Sequence, residues 1–213
     1  MGHRTLSVRP MTHSDILPVA LVHRRAFAGS MGASIGMTYA KRLALRFLCF
    51  RGALARVVCM ENDPVGYVFG APAVLVPSLS RGLLPHLGWG LATHPRVLLH
   101  RDLLPQLPGR MALLLCGNDP FRLPAHLDER VVFNLVGIGV DPGAQGNGCG
   151  KMLLEAFARQ VWRRGFAHIQ LDVRRDNAAA WRLYQTQGWV AEQYSDRHAR
   201  FRLHKRSQGE QKP

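Results

Sequence analysis

The sequence predicts an α/β domain, on three observations. Patterned segments run in the order β-α-α-β-β up to residue 76, a strand passes through a glycine-rich loop into a helix over 131–161, and a strand, a helix and a strand pair close the chain.

Thr5-Leu6-Ser7-Val8-Arg9 alternates as a short strand, and Pro10 ends it. Thr12-His13-Ser14-Asp15 then offers N-cap candidates for an apolar helix over 16–28. Small residues break the pattern over 29–36. A second helix over 37–50 follows, with Ala40, Leu43, Ala44, Phe47 and Leu48 at helical spacing and Lys41, Arg42 and Arg46 between them. The β-branched and aromatic runs 54–60 and 65–74 flank the polar turn Glu61-Asn62-Asp63-Pro64 and read as a hairpin. From 77 to 130 the texture changes to Leu, Pro, Gly, His and Arg. This is expected to be an insertion with short helices over 83–91, 96–104 and 110–115, separated by Pro95, Pro105 and Pro108. A strand over 131–140 ends in the turn sequence Asp141-Pro142-Gly143. Gln145-Gly146-Asn147-Gly148-Cys149-Gly150-Lys151 then leads into a helix carrying Met152, Leu153, Leu154, Ala156, Phe157 and Val161, closed by Gly165. A strand over 168–173, a helix over 177–185 with Gly188 past its end, and a strand pair over 189–194 and 199–204 complete a single domain over 1–204, with 205–213 as a polar tail.

The 213 residues suffice for one core without disulfides, and 47% hydrophobic against 20% charged residues exclude a chain disordered throughout. The longest apolar stretch, 73–116, is broken by Arg81, His86, His94, Arg96, Arg101 and several prolines, so no transmembrane helix is expected. The N-terminus lacks the apolar core of a signal peptide, and the reading is cytoplasmic. Cys49, Cys59, Cys116 and Cys149 are too widely spaced for a zinc pattern or a disulfide framework, and no metal is expected. The net charge is +14, and 24 of the 28 basic residues are Arg, which suits bidentate contacts to phosphate or carboxylate. Two readings stand: an Arg-rich solvated surface, or an anionic partner. Nucleic acid is disfavoured, because aromatics make up only 8% and no basic stretch interleaves them.

A strand, tight turn, glycine-rich loop and helix form a phosphate-binding arrangement. Unpaired N–H groups at the helix start face outward, and the helix dipole favours negative charge there. A nucleotide-triphosphate loop of the Gly-x4-Gly-Lys-Ser/Thr kind fails, since Gln145 replaces its first glycine and Met152 its hydroxyl. A dinucleotide fingerprint starting at Gly146 fails because Lys151 falls on its third glycine.

The pattern Gln-x-x-Gly-x-Gly, present as Gln145, Gly148 and Gly150, resembles the pyrophosphate-binding signature of the GNAT acyl-CoA N-acetyltransferase superfamily. The likeness extends to Leu135-Val136-Gly137-Ile138-Gly139-Val140-Asp141-Pro142, similar to that family's fourth strand. It also includes Leu171-Asp172-Val173, then Asn177-Ala178-Ala179-Ala180-Trp181-Arg182-Leu183-Tyr184 and Gly188-Trp189, similar to its next strand and helix. Together these cover about residues 131 to 190.

The resemblance implies a mixed, mostly antiparallel sheet of six to seven strands, splayed between the fourth and fifth, with helices on both faces and a helical insertion, 77–130, between the third and fourth. It implies acetyl-CoA as co-substrate, with its pyrophosphate on the amides from Gly146 through Asn147, Gly148, Cys149 and Gly150 to Lys151, and Gln145 opening the loop. The backbones of Ile138 and Val140 and the side chain of Asn177 would hold the pantetheine, Ala180 would leave room for it, and Tyr184 would protonate the departing thiolate. Each role has an alternative reading: Tyr184 as a buried aromatic, Asn177 as a helix cap, and Cys149 as either a spacer or a nucleophile. In many relatives a Glu starts the fourth strand as base or water anchor. Here Asn134 stands there, so the base is left open among Asp128, Glu129, His126, Glu61, Asp63 and a water.

The implied activity is acetyl transfer to a primary amine. The arginines of 77–130 suit a small anionic acceptor such as an amino sugar or a nucleotide-linked amino sugar, while a membrane-facing basic and apolar surface is an equal reading of that segment. The alternatives are a protein lysine or N-terminal acceptor and a non-catalytic coenzyme A sensor, and a homodimer is compatible with either.

Overall fold

A computed structural model describes residues 5–28, 36–81, 128–194 and 198–205. In chain order its elements are β1 (Leu6–Pro10), a 3-10 turn (His13–Asp15), α1 (Ile16–Ala26), α2 (Met37–Cys49), β2 (Leu54–Met60), β3 (Asp63–Pro72) and a 3-10 turn (Ala73–Leu75) leading into α3 (Val76–Arg81). After residues 82–127 come β4 (Val132–Val140), α4 (Cys149–Arg163), β5 (His168–Arg174), α5 (Ala178–Thr186), β6 (Val190–Tyr194) and β7 (His198–His204). The helices expected over 83–91, 96–104 and 110–115, and most of the tail, lie outside the described residues.

The strands form one seven-stranded sheet in the order β1-β2-β3-β4-β5-β7-β6. All pairs are antiparallel except β4 with β5, where the helical crossover of α4 requires parallel strands. The expected strand pair at the end is present, with β7 inserted between β5 and β6.

Period-two alternation sorts side chains to the two faces of the sheet. Leu54, Val58, Phe133, Leu135, Ile169, Leu171 and Phe201 point to one face, where α4 covers them with Leu153, Phe157 and Val161 and α5 adds Tyr184. Val57, Cys59, Tyr67, Phe69 and Ala71 point to the other, under Val19 and Val22 of α1 and Ala44 and Phe47 of α2. At Gly70 the approach is so close that an added Cβ would lie 2.4 Å from Phe157 Cζ and 2.5 Å from the Asn134 carbonyl oxygen. Only glycine lets α4 settle on the sheet there.

Two features of β4 position the site. The first is a short seam with β5: Val132, Phe133 and Asn134 pair with His168, Ile169 and Gln170, and beyond that point no further β4–β5 pairs form, so the sheet splays. The second is a bulge on the β3 side. Phe69 pairs with Gly137 and Gly70 with Leu135, which leaves Val136 without an opposite residue and 45% exposed.

Candidate active site

The turn after β4 is fixed from both sides. Asp141 Oδ1 accepts a hydrogen bond from the Gly143 N–H at 3.1 Å, and Oδ2 accepts one from Arg25 Nη1 of α1 at 2.8 Å. The Arg25 guanidinium holds the Asp141 carboxyl below its usual pKa. Gly146 and Gly148 have φ of 79° and 80°, a region that side-chain-bearing residues rarely adopt, and a Cβ at either would meet nothing within 4 Å. The loop therefore turns on its glycines and faces open space. Within it, Asn147 Nδ2 donates to the Ala144 carbonyl at 3.2 Å and Gln145 Nε2 to the Val140 carbonyl at 3.3 Å.

Gly148 caps α4, and Met152 N–H donates to its carbonyl at 3.0 Å. The N–H groups of Cys149, Gly150 and Lys151 come before that first turn closes, and helix geometry leaves such groups without intrahelical partners. They suit an anion. Cys149 is 2% exposed and sits in the core, where burial raises its thiol pKa; this favours the spacer reading over the nucleophile. Lys151 is exposed, with Nζ 3.9 Å from Glu155.

On β4, the Asp141 N–H donates to Val65 on the β3 side at 2.8 Å. Strand alternation then turns the backbone groups of Ile138 and Val140 to the opposite side, where β5 has departed; the Gln145 contact to the Val140 carbonyl agrees. α5 closes the site. Asn177 caps it by accepting from the Ala180 N–H at 3.1 Å, which leaves its amide nitrogen available to a second partner. Ala180 is half-buried. Leu183 would lie 3.0 Å from a Cβ on Gly150, so the absence of a side chain there brings α5 against the start of α4.

Tyr184 is buried, with its ring 5.7 Å from those of Trp189 and Phe201. Burial raises its pKa above the ordinary 10.

Asn134 occupies the last β4–β5 pair, opposite Gln170, and its Oδ1 is enclosed without a hydrogen-bond partner among the described residues. Among the candidate bases, Glu61 and Asp63 lie at the far end of the β2–β3 hairpin. Asp63 is eight residues along β3 from Ala71, the partner of Asn134, or ~27 Å at strand rise. That distance separates both from Asn134. Asp128 is exposed and accepts from the Arg130 N–H at 2.9 Å. His126 and the Glu129 side chain lie outside the described residues.

The structure adds groups that the sequence pattern did not single out. His23 Nδ1 lies 2.5 Å from Tyr67 Oη, beneath α1 and level with Gly139 of β4. Burial lowers the His23 pKa to about 4, so its imidazole is neutral at pH 7. On the face away from Tyr184, Arg200 holds Asp172 at 2.8 and 2.9 Å, and Arg202 pairs with Glu192 and reaches toward Gln170. Both arginines are 2% exposed. No described helix is long and apolar enough to cross a membrane, and among the described residues no group of His, Cys, Asp and Glu is placed to hold a metal.

Comparison with known proteins agrees with this geometry. Residues 116–189 match the family model of the acetyltransferase (GNAT) family. Over 63 residues the chain is 44% identical to the [ribosomal protein bS18]-alanine N-acetyltransferase of Escherichia coli (strain K12), covering 30% of this chain and 40% of that protein. Over 48 residues it is 46% identical to the mycothiol acetyltransferase of Saccharopolyspora erythraea, covering 22% of this chain and 16% of that protein. The matched segments thus span well under half of these relatives. The structure of the PaiA N-acetyltransferase from Thermoplasma acidophilum in complex with coenzyme A superposes with a TM-score of 0.57 at 11% identity, covering 94% of this chain and 99% of that one, which shows a shared fold.

Proposed function

We propose that this chain, whose residues 116–189 match the acetyltransferase (GNAT) family model, transfers an acetyl group from acetyl-CoA to a primary amine. The observation that carries the reading is the glycine loop, which delivers the open start of α4 to the mouth of the β4–β5 splay, beside α5 and Tyr184. The loop amides hold the pyrophosphate, the backbones of Ile138 and Val140 and the amide of Asn177 hold the pantetheine, and Ala180 leaves room for it. The bulge at Val136 faces the thioester, and backbone N–H groups there polarise its carbonyl. The amine attacks that carbonyl, the C–S bond breaks, and Tyr184 Oη gives its proton to the sulfur. Asn134 cannot take the proton of the amine; a water fills that role.

For the acceptor, the arginines of 77–130, which follow β3 and precede β4, support a small anionic amine such as an amino sugar or its nucleotide-linked form. A second reading, a protein N-terminal amine, is supported by the 44% identity to an enzyme named for a ribosomal-protein alanine. The test is a screen of amino sugars, nucleotide-linked amino sugars, polyamines and peptides, followed by free thiol release and repeated at raised salt. Turnover of phosphorylated amines that weakens with salt supports the first reading, and turnover of N-terminal peptides alone supports the second. Acetyl-CoA binding with no transfer to any amine would identify a sensor instead.

A further inference from the structure

Away from the glycine loop, a groove of about 440 Å³ lies between β1–β2 and the side of α4, lined by Ser7, Arg56, Glu155, Arg159, Gln160 and Arg163 among others. Arg56 is half-buried on the α4 face of β2, between the core residues Leu54 and Val58, and its Nε is enclosed with no hydrogen-bond partner among the described residues. Around it stand Arg159, Arg163 and Arg164. Burial lowers the Arg56 pKa first, and the repulsion of those three cations lowers it further. Arg164 is satisfied elsewhere, donating to the Gly52 and Ala53 carbonyls at 3.0 and 3.2 Å. Glu155 is the single carboxylate among the lining residues, and it is 3.9 Å from both Lys151 and Arg159.

A half-buried cation beside like charges destabilises a fold unless an anion completes the site. We propose that this groove binds a phosphorylated small molecule of nucleotide size, with Arg56, Arg159 and Arg163 on its phosphates and Ser7 and Gln160 as further hydrogen-bonding groups. The volume favours a small molecule, since ligand pockets of this kind run from roughly 300 to 1,000 Å³, whereas a polynucleotide tracks an open surface. The site lies on a different side of α4 from Gly150 and Leu183, and it does not depend on the acetyl-transfer reading.

The test is calorimetry on the full chain with pyrophosphate, ADP and an RNA oligonucleotide as probes, comparing the parent with Arg56→Met and with Arg163→Gln, an exposed position whose change leaves the core alone. Saturable binding of ADP or pyrophosphate that weakens about tenfold or more in both variants is expected, and binding of ADP over bare pyrophosphate would identify a nucleotide. Arg56→Met should also melt no lower than the parent in phosphate-free buffer, because it replaces an uncompensated charge with an apolar chain of similar length. No saturable binding in the parent, equal binding in the variants, binding of RNA alone, or a lower melting temperature for a folded Arg56→Met would each overturn the proposal.

Discussion

Among the described residues, His23 is the side chain through which mild acidification should weaken this protein first. Its ordinary pKa of 6.5 is lowered to about 4 by burial between α1, which carries it, and Tyr67 of β3. Between those values the unfolded chain binds a proton that the folded chain refuses, so stability rises with pH and is lost as pH falls from about 6.5 to about 4. A tenfold change in proton affinity is worth ~1.4 kcal/mol, so the full difference amounts to roughly 3 kcal/mol. That is a large part of the ~5–15 kcal/mol that holds a typical domain together. Asp15 acts in a separate window: its pKa is lowered from 3.8 to about 2 by Arg9, so its contribution is lost only below that of His23. Urea titrations at a series of pH values from about 7 to about 4 measure the slope. His23→Gln keeps a hydrogen-bond partner for Tyr67 Oη but does not titrate, so its stability should be flat across the window. A parent equally stable at both ends, or a variant that keeps the same loss, would refute the reasoning.

Gly148→Glu places a side chain and a negative charge at a φ of 80° where phosphate is proposed to sit, and calorimetry should show acetyl-CoA binding abolished. Tyr184→Phe should lower kcat by ~10 to 10³-fold with KM for acetyl-CoA little changed, read in steady-state kinetics limited by chemistry. Phe157→Ala removes a fully buried ring from the centre of the α4 face and should cost about 3–5 kcal/mol in chemical denaturation.

The glycine loop was legible in the sequence because its geometry is a demand on single residues: Gly146 and Gly148 adopt positive φ, and few other residues do so freely. Element order was legible for a similar reason, since Val57 and Val58, or Phe133 and Asn134, alternate faces by local rule. Boundaries moved by a residue or two, as where α1 ends at Ala26 and the last helix starts at Ala178. What the pattern could not supply was partnership across strands. Arg200 and Arg202 alternate with Ala199, Phe201 and Leu203 and read as the wet side of a strand, yet both are almost fully covered. Likewise His23 looks like a lone polar residue in an apolar helix until β3 places Tyr67 beneath it, and Arg56 like a surface charge until α4 lies across β2.

Among the described residues, the short seam between β4 and β5 opens two further strand edges inside this sheet, touched only by Gln145 at the Val140 carbonyl. Beyond Asn134 and Gln170, the inner flanks of both strands present backbone donors and acceptors in mid-sheet, where neither lysine nor proline guards them over 135–140. An extended chain that entered this slot could pair there as an added strand. Occupancy by a ligand that satisfies the same groups would therefore protect the protein from aggregation as well as engage it in chemistry.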